Sequence, residues 1–597
     1  MSHLLAVVGV NAVEGRWQHR LNRAATELGM VKPHDVVRTP WCEVAVVADE
    51  TAGAQEFVRD TDSGAFLAML GAWVGSPEAA TPEAILKRCL TQPLDWVARS
   101  LEGAFVLVFG DTRAKTLNVV TDIGGSFHVF ARNIEGGVAV CTSTRTLALL
   151  GVSEMDPVAV YEFWASGIIY EDRSLWRDVA KIGPARILTI SADGKSNERR
   201  YWSFAEFSGK AFGLNEASER VGEALKSAAR RIAARYPKVL ADVTGGYDSR
   251  ATISGFVAAG VNFAATVSGP EDSADVVVSR QIATTLGVEH YRAESPAIVS
   301  ARMLEDALNL SDGECELFEY ARIAAIHRGH AARGYSASVN GSFGELARGY
   351  WWELLFPRIG VCEPLDAQKL SQKRFAAVAF DTAAMAANHR FDFRDHMRAV
   401  IERSCAPLNG KLNTLQMDHA YFDLRMQRWQ GRLGSSTGHI WPSFSPFMFL
   451  TVLAPVIEAR PLARWRSLLV RHLLAHIAPK LAQLPLEHGY PAAPATLANL
   501  HRFAPVLGHY IGRVKEKLLP RTNPRTPLQS AAALLEELAL MKPGDWHMAN
   551  AGYFDPAAVA RLTSTDGLSL PIKRLITLEL AARSVAKARS QLGAMAT

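Results

Sequence analysis

Cysteine is scarce in this sequence, with six residues among 597. No two of them form a CxxC pair, which argues against the commonest zinc-binding pattern. So few cysteines in so long a chain also argue against a disulfide framework. We therefore predict a reducing compartment and a cytoplasmic protein. The cysteines are Cys42, Cys89, Cys141, Cys315, Cys362 and Cys405.

Long apolar runs and a strong charge imbalance are also missing. No stretch reaches the roughly 18 apolar residues that a membrane span needs, and the N-terminal apolar run lacks the basic start of a signal peptide. The net charge of +5 is not typical of a nucleic-acid-binding chain. We expect neither a membrane nor a nucleic acid as partner. The 48% hydrophobic and 21% charged residues are typical of a globular protein, and the length predicts about two to four domains.

Two kinds of pattern divide the sequence near residue 205. Before it, short apolar segments alternate with turn signals such as Gly110-Asp111, which indicates antiparallel sheets. After it, strands and helices alternate from 215 to 291, which predicts a parallel sheet with helices on both faces. The remainder reads as mainly helical. We predict an α/β and α+β protein with one domain over 1–205 and another over 206–597.

A glycine pair follows the apolar strand predicted at 239–243. It lies in the hexapeptide Thr244-Gly245-Gly246-Tyr247-Asp248-Ser249. Glycines between a strand and a helix let the backbone approach an anion, which the amino end of the helix favours. We assign these six residues to an ATP site, together with Val267 and Ser268 at the end of the next predicted strand. An ordinary turn between a strand and a helix is the alternative.

Two details of this loop predict its chemistry. Asp248 is suited to Mg²⁺, which prefers one or two carboxylates plus phosphate oxygens. The lysine of a GxxxxGK[ST] motif, which reaches the β- and γ-phosphates for phosphoryl transfer, is absent. A short loop without lysine suits a leaving pyrophosphate, so we predict attack at the α-phosphate and an acyl-adenylate.

The hexapeptide resembles the SGGxDS loop of the asparagine synthetase and β-lactam synthetase superfamily. Other segments resemble that family's motifs in the same order along nearly the whole chain. They lie at 101–105, 122–126, 200–202, 275–290, 339–350 and 443–448. The resemblance implies an N-terminal Ntn-glutaminase-like antiparallel β-sandwich and a C-terminal PP-loop synthetase domain, like the adenine nucleotide α-hydrolases. It also implies ATP and Mg²⁺ as cofactors and carbon–nitrogen ligation that forms AMP and pyrophosphate.

The N-terminus departs from the family. Its glutaminase uses a cysteine directly after the initiator methionine, where this chain has Ser2. An unactivated serine is a far weaker nucleophile than a thiolate. We therefore expect no glutamine hydrolysis and an N-terminal domain that serves as a scaffold or docking surface. The alternative is that Ser2 becomes an N-terminal nucleophile after methionine removal.

The family's second acidic loop, SGEGADELFGGY, is also altered. The matching segment 339–350 has Gly344 where the motif has aspartate, whereas Glu345 matches its glutamate. We predict Glu345 as a catalytic residue and, with Asp248, as a metal ligand. The alternatives are a weaker metal site, or a Glu345 that only caps a helix.

A cation should stabilise the developing charge, and a base should deprotonate the amine. Lys480 is predicted as catalytic, although Lys515 and Lys517 are candidates that the sequence does not separate from it. Glu353 is predicted as a catalytic carboxylate of a pocket wall, with a packed helix as the alternative. An acidic cluster reads more often as a solvated face, but one member is a candidate base. Its members are Asp312, Glu314, Glu316 and Glu319.

Without a glutaminase, an amine on the substrate itself is the favoured nucleophile, because intramolecular attack raises its effective concentration. Chain length and a helical C-terminal half favour, by analogy, the family's lasso-peptide macrolactam synthetases. That branch implies a peptide precursor as substrate and a leader-processing protease or leader-binding protein as partner. The alternatives are a ligase that amidates a small acid or sugar acid with ammonia, and a catalytically degenerate binding module.

Overall fold

The computed structural model describes residues 3–10, 16–28, 35–47, 56–377, 380–503, 529–564 and 567–594. Antiparallel and parallel sheets occur in separate parts of the chain, with helices around them. Across these described residues, none of the helices combines the length and the apolar character needed to cross a membrane. All six cysteines are free thiols.

The first part of the chain is built on antiparallel strands. The strands described before residue 201 are β1 (His3–Gly9), β2 (Asp35–Arg38), β3 (Cys42–Val47), β4 (Glu56–Arg59), β5 (Phe66–Gly75), β6 (Leu101–Asp111), β7 (Thr116–Thr121), β8 (Phe130–Ile134), β9 (Gly137–Cys141), β10 (Ala180–Lys181), β11 (Arg186–Ser191) and β12 (Ser196–Arg200). They form two six-stranded sheets, ordered β10-β8-β9-β1-β3-β2 and β12-β11-β7-β6-β5-β4. The predicted antiparallel sheets are confirmed.

These two sheets pack face to face. Leu4 and Val8 of β1 share one buried core with Val106 and Val108 of β6. Side chains alternate along a strand, so the intervening residues face outward, where helices pack against both sheets. The result is a sandwich of two sheets between helical layers.

Five further strands form a parallel sheet ordered β15-β14-β13-β16-β17. Their bounds are β13 (Val239–Asp242), β14 (Ala264–Ser268), β15 (His290–Ala293), β16 (Ala337–Val339) and β17 (Ser443–Phe444). The central strand β13 is apolar and almost wholly buried, as expected where helices cover both faces. The strand order reverses between β13 and β16, and open α/β sheets bind ligands at the carboxyl ends flanking such a reversal.

Helices make up most of the remaining structure. The α-helices are Arg16–Glu27, Pro82–Thr91, Leu94–Arg99, Thr144–Ala148, Pro157–Ser166, Leu214–Arg235, Tyr247–Ala259, Ala274–Leu286, Ala301–Ser311, Leu317–Ala332, Ala367–Leu370, Phe393–Cys405, Asn413–Ala420, Gly431–Gly438, Leu450–Glu458, Pro461–Arg464, Leu468–Ile477, Pro479–Gln483, Ala531–Glu537, His547–Asn550, Pro556–Thr563 and Leu570–Ala594. Two π-helical segments lie at Ser371–Phe375 and Tyr421–Gln430. Short 3₁₀ turns connect many of these elements.

The alternation of strands and helices predicts a helix over 249–259 and a strand over 288–291, and the structure offsets both elements for local reasons. The helix after the glycine pair begins at Tyr247, two residues early, because Gly246 is its N-cap. The strand predicted at 288–291 begins two residues late, because the N–H of Val288 still bonds the helical carbonyl of Ala283. The left-handed Gly287 ends that helix. The boundary between domains near residue 205 stays a prediction.

Candidate functional site

The carboxyl ends of β13, β14, β16 and β17 enclose a cavity of about 380 Å³, within the range of small-molecule pockets. We call it the sheet-end cavity. Asp242, Thr244, Asn340 and Ser445 line it from the strand ends. Residues of the helix Leu317–Ala332 complete other parts of the wall. The cavity therefore lies at the reversal of strand order.

The residues predicted to bind ATP are divided between this cavity and the loop beside it. Thr244, Val267 and Ser268 line the cavity. The others form the glycine pair and the first turn of the following helix. They are Gly245, Gly246, Tyr247, Asp248 and Ser249. Three of the eight predicted residues thus line the cavity, and the other five lie in the adjoining loop and helix start.

The loop is held by side chains of its own and of the next helix. Thr244 Oγ1 and Ser249 Oγ lie 3.1 Å apart, and the Thr244 N–H donates to Ser249 Oγ at 3.0 Å. The Gly245 N–H donates to Asp275 Oδ1 at 2.7 Å. The N-cap Gly246 offers no side-chain cap to the helix, so the first N–H groups of that helix remain suited to an anion.

Glycine is required at position 245 by close packing. A Cβ there would lie 2.9 Å from Glu487 Cβ and 3.2 Å from Asp275 Oδ1. The Gly245 carbonyl also accepts the N–H of Glu487 at 3.1 Å. A segment more than 200 residues away in sequence therefore covers one side of the loop.

The second acidic loop packs directly against the first. A Cβ at Gly341 would lie 2.4 Å from Ser249 N, and one at Gly344 would lie 2.7 Å from Asp248 Cβ and 3.0 Å from Asp248 Oδ1. The aspartate that the resembled motif has at position 344 would collide with Asp248 in this arrangement. Glycine at position 344, where the resembled motif has aspartate, is thus the residue that the close contact between the two loops requires.

Asp248 and Glu345, the two predicted metal ligands, lie in one charged group with Arg348. Arg348 Nη1 donates to Asp248 Oδ2 at 3.1 Å. Burial raises the pKa of Asp248 to about 7, an effect that Arg348 opposes and that Glu345 and Glu487 reinforce. Asp248 is therefore a carboxylate whose ionised form needs more positive charge than the protein supplies.

Three buried polar atoms of this group have no hydrogen-bond partner: Asp248 Oδ1, Glu345 Oε2 and Arg348 Nε. Two free carboxylate oxygens suit a cation, and a free guanidinium N–H suits an anion. Mg²⁺ together with a phosphate would meet both needs. Nowhere in the described residues are three or more His, Cys, Asp or Glu side chains placed to hold a metal, so phosphate oxygens or water would have to complete the coordination.

The sheet-end cavity itself is acidic to neutral. Burial raises the pKa of Asp242 to about 7 and also raises that of Glu319, which Arg425 opposes. Burial, with His330, lowers the pKa of His327 to about 3, so this imidazole is neutral at pH 7. Among the described residues that line it, none is a lysine or an arginine. The cavity therefore suits a nucleoside or an amine better than a polyphosphate. A polyphosphate is better suited to the phosphate loop, where Arg348 supplies a positive charge.

The structure separates the four members of the acidic cluster. Asp312 is buried in an ion pair with Arg145 at 3.1 Å. Glu314 is buried and accepts a backbone N–H, and Glu316 caps the helix that follows it. Only Glu319 lines the sheet-end cavity. Three of these carboxylates thus have structural partners, and the solvated-face interpretation is wrong for Asp312 and Glu314.

None of the three residues predicted as catalytic lines the sheet-end cavity, and only Glu345 lies near the phosphate loop, in the charged group with Asp248 and Arg348. The Glu353 side chain is 57% exposed and pairs with Arg374. Lys480 is exposed in the short helix Pro479–Gln483. Neither lines the sheet-end cavity. Three further predicted residues lie outside the described part of the chain: Ser2, Lys515 and Lys517.

Four residues of the site were missed by sequence reasoning. Arg348 stands where the resembled motif has glycine, so its charge was a readable signal. Asp275 belongs to a recognised segment, but its bond to Gly245 was not predicted. Asp242 is the last residue of β13, two positions before the hexapeptide that begins at Thr244. Glu487 reaches the loop only through the fold, and no local pattern marks it.

Comparison with known proteins adds little. No family model and no curated protein sequence matches the chain. Among solved structures, a glutamine phosphoribosylpyrophosphate amidotransferase from B. subtilis, complexed with ADP and GMP, is 12% identical, with 50% of this chain and 83% of that chain covered and a TM-score of 0.22. An allosteric regulatory enzyme of purine biosynthesis is 11% identical, with 50% and 82% covered and a TM-score of 0.24. Likenesses this weak carry no argument about this chain.

Proposed function

We propose that the protein is an ATP-dependent carbon–nitrogen ligase that activates a carboxylate as its acyl-adenylate. The observation that carries the proposal is the group of unpartnered atoms on Asp248, Glu345 and Arg348, beside a glycine-rich loop at the reversal of strand order. A pyrophosphate group with its cation satisfies those atoms. The sandwich and the parallel sheet are consistent with a glutaminase-like domain joined to a PP-loop synthetase domain.

The proposed reaction has two steps. A substrate carboxylate oxygen attacks the α-phosphorus of ATP, and the bond to the pyrophosphate oxygen breaks. The amine then attacks the acyl carbon, its proton passes to a base, and AMP leaves with the acyl–oxygen bond electrons. Arg348 neutralises charge on the departing pyrophosphate, a stabilisation usually worth about 100-fold or more in rate. Mg²⁺, held by Asp248 and Glu345, would screen the same charge.

Glu319 is the carboxylate best placed to receive the amine. It lines the sheet-end cavity from an exposed position on the helix Leu317–Ala332, and partial burial of its carboxyl group raises its pKa. A carboxylate with a raised pKa is a stronger base and can take the proton that an ammonium must lose. Of the four acidic-cluster residues, it is the one whose side chain reaches the cavity where the acyl carbon would lie.

The finer proposal concerns the amine. With Ser2 in place of the family's cysteine, we propose that the amine belongs to the substrate and that the product is a macrolactam in a lasso-type peptide. A peptide precursor would then be the substrate, with a protease or leader-binding protein as partner. Amidation of a small acid with free ammonia is the alternative, since the cavity is small and acidic.

The test is pyrophosphate release from ATP, with AMP and ADP separated by chromatography. Candidate precursor peptides, small acids with ammonium, and glutamine are supplied in separate reactions. Peptide-dependent formation of AMP and pyrophosphate, lost in Asp248→Ala, supports the macrolactam proposal, whereas release only with ammonium supports the alternative. ADP as product, or no release in any reaction, contradicts the ligase proposal. Glutamate formed from glutamine contradicts the expectation for Ser2.

A further inference from the structure

A second cavity, of about 310 Å³, lies apart from the sheet-end cavity and shares no lining residue with it. It is formed where the segments 153–157 and 176–177 meet the C-terminal helix Leu570–Ala594. Residues His389 and His547 complete its wall. We propose that this second cavity binds a small molecule that joins an oxyanion, a carboxylate or a phosphate, to an apolar body.

Two buried donors in its lining have no acceptor. Trp176 and Ser153 are each 4% exposed, and neither Trp176 Nε1 nor Ser153 Oγ has a hydrogen-bond partner. An indole N–H can only donate. Leaving such a group unpaired in the interior is costly. A ligand that meets these donors must therefore present acceptor oxygens.

The charges around the second cavity also favour an anion. Arg177 and Arg589 line it, and the one acid in the lining, Glu154, is 3.6 Å from Arg177. Arg589 donates to the carbonyl of Ser153 at 3.2 Å, which holds the guanidinium beside an unpartnered hydroxyl. This arrangement leaves one arginine charge without a carboxylate in the lining. A single oxyanion would balance it.

Apolar residues form another part of the lining, beside His389 and His547, and would contact the body of the ligand. Met155, Pro157 and Val585 contribute aliphatic surface, and the Tyr553 ring lies against His389 with 5.6 Å between ring centroids. The Tyr553 hydroxyl is already bonded to the carbonyl of Met155 at 2.8 Å. Only its ring is left for a ligand. The lining of the second cavity thus combines charged groups and polar donors with aliphatic and aromatic surface.

The experiment uses benzoate and phenyl phosphate as probes, with benzyl alcohol as the neutral match. Binding to the full chain is measured by saturation-transfer NMR up to about 10 mM, since a fragment of this size binds in about the millimolar range. We expect either or both anionic probes to bind and benzyl alcohol not to bind. Benzoate alone would indicate a carboxylate ligand, and phenyl phosphate alone a phosphate.

Two conservative variants locate the binding. Trp176→Phe and Ser153→Ala each remove one unpartnered donor, so each should weaken probe binding about tenfold without lowering the melting temperature. Trp202→Phe and Ser218→Ala are matched controls. Both parent residues are 4% exposed with unpartnered polar atoms, yet they line neither cavity.

The inference is overturned if neither anionic probe binds the wild type, or if benzyl alcohol binds as well as benzoate. It is also overturned if Trp176→Phe and Ser153→Ala bind the probes as tightly as the controls do. A fall in melting temperature in both variants without any change in binding would show that the two donors have a structural role only. The outcome does not depend on ligase activity.

Discussion

Asp312 is a buried carboxylate and Asp248 a partly buried one, and each faces an arginine, but their surroundings differ. Asp312 accepts bonds from Arg145 Nε at 3.1 Å, Ser143 Oγ at 2.9 Å and the Thr144 N–H at 2.9 Å. Asp248 has one arginine bond, and its Oδ1 has no partner. One carboxylate is fully satisfied by the fold, whereas the other is left with a free oxygen.

This difference separates a structural ion pair from a binding group. A buried carboxylate whose oxygens are all bonded joins elements together, and Asp312 links the helix Ala301–Ser311 to residues 143–145. A buried carboxylate with a free oxygen and a raised pKa is suited to a ligand. The predictions below test that separation, from the largest expected effect to the smallest.

Replacing Asp312 with alanine should cost the most stability. The change strands Arg145, 1% exposed, and Arg432, 2% exposed, as buried charges without their carboxylate. Breaking one side of a buried pair costs about 3–5 kcal/mol, measured by chemical denaturation. Asp312→Asn keeps the acceptor oxygen and the left-handed backbone, so it should lose less. A loss no greater than that of Asp248→Ala would contradict the comparison.

Asp248→Asn should lower ligase turnover about 100-fold, equivalent to about 3 kcal/mol in the barrier, because the negative charge that would hold the cation is lost. The measurement is the rate of pyrophosphate release. Denaturation should show no loss of stability at pH 8, since the amide is not charged. If denaturation instead shows a loss as large as that of Asp312→Ala, Asp248 is a structural group.

Gly344→Ala tests the contact that holds Asp248 in place. The added methyl group would lie 2.7 Å from Asp248 Cβ, and overpacking of this kind costs about 1–3 kcal/mol. We expect weaker ATP binding by calorimetry, as well as lower stability. Gly329→Ala is the matched control, because nothing lies within 4 Å of its added carbon. Equal ATP affinity in the two variants would show that the loops have room to separate.

These contacts show which parts of the site can be read from the sequence. The phosphate loop was predictable because a strand, two glycines and a helix are consecutive in the chain. The hydrogen bonds of Asp312 could not be predicted, because its partners lie about 170 residues away in sequence. Glu319 lies in the first turn of the helix Leu317–Ala332, whereas Glu316 caps that helix and Glu314 precedes it and accepts the N–H of Leu175. Short-range patterns find the loop, and only tertiary contacts decide which carboxylates remain free.

The same reasoning applies to the fold. Alternation of strands and helices predicted the parallel sheet, and turn signals predicted the antiparallel ones. The extension of β6 back to Leu101 and the packing of the sandwich depend on pairing between strands distant in sequence. Glu353 was misleading because adjacent tryptophans suggested a pocket, whereas the local 3₁₀ turn leaves its side chain exposed.

The pH dependence of stability should also distinguish the two carboxylates. The pKa of Asp248 is raised to about 7 in the folded protein and is about 4 when unfolded. The folded state therefore holds the proton more tightly, and its stability falls as pH rises from about 4 to 7. Asp248→Asn lacks this group, so it should gain about 1–2 kcal/mol relative to wild type between pH 5 and 8. A difference independent of pH would contradict the raised pKa.

Arg348→Lys should have the smallest effect, because a lysine keeps the positive charge beside Asp248. A lysine offers a point charge where arginine offers a planar set of donors, so the unpartnered Nε is lost while the ion pair is kept. We expect a few-fold weaker affinity for pyrophosphate, measured by calorimetry with Mg²⁺ present. Arg348→Met removes the charge as well and should weaken binding about tenfold more. Arg358→Met is the control, since Arg358 pairs with Glu363 on the surface and is 69% exposed. If Arg348→Met binds pyrophosphate as tightly as Arg358→Met, Arg348 serves only to pair with Asp248. The pair of Arg348 and Asp248 would then be a structural ion pair like that of Arg145 and Asp312, in spite of its unpartnered atoms.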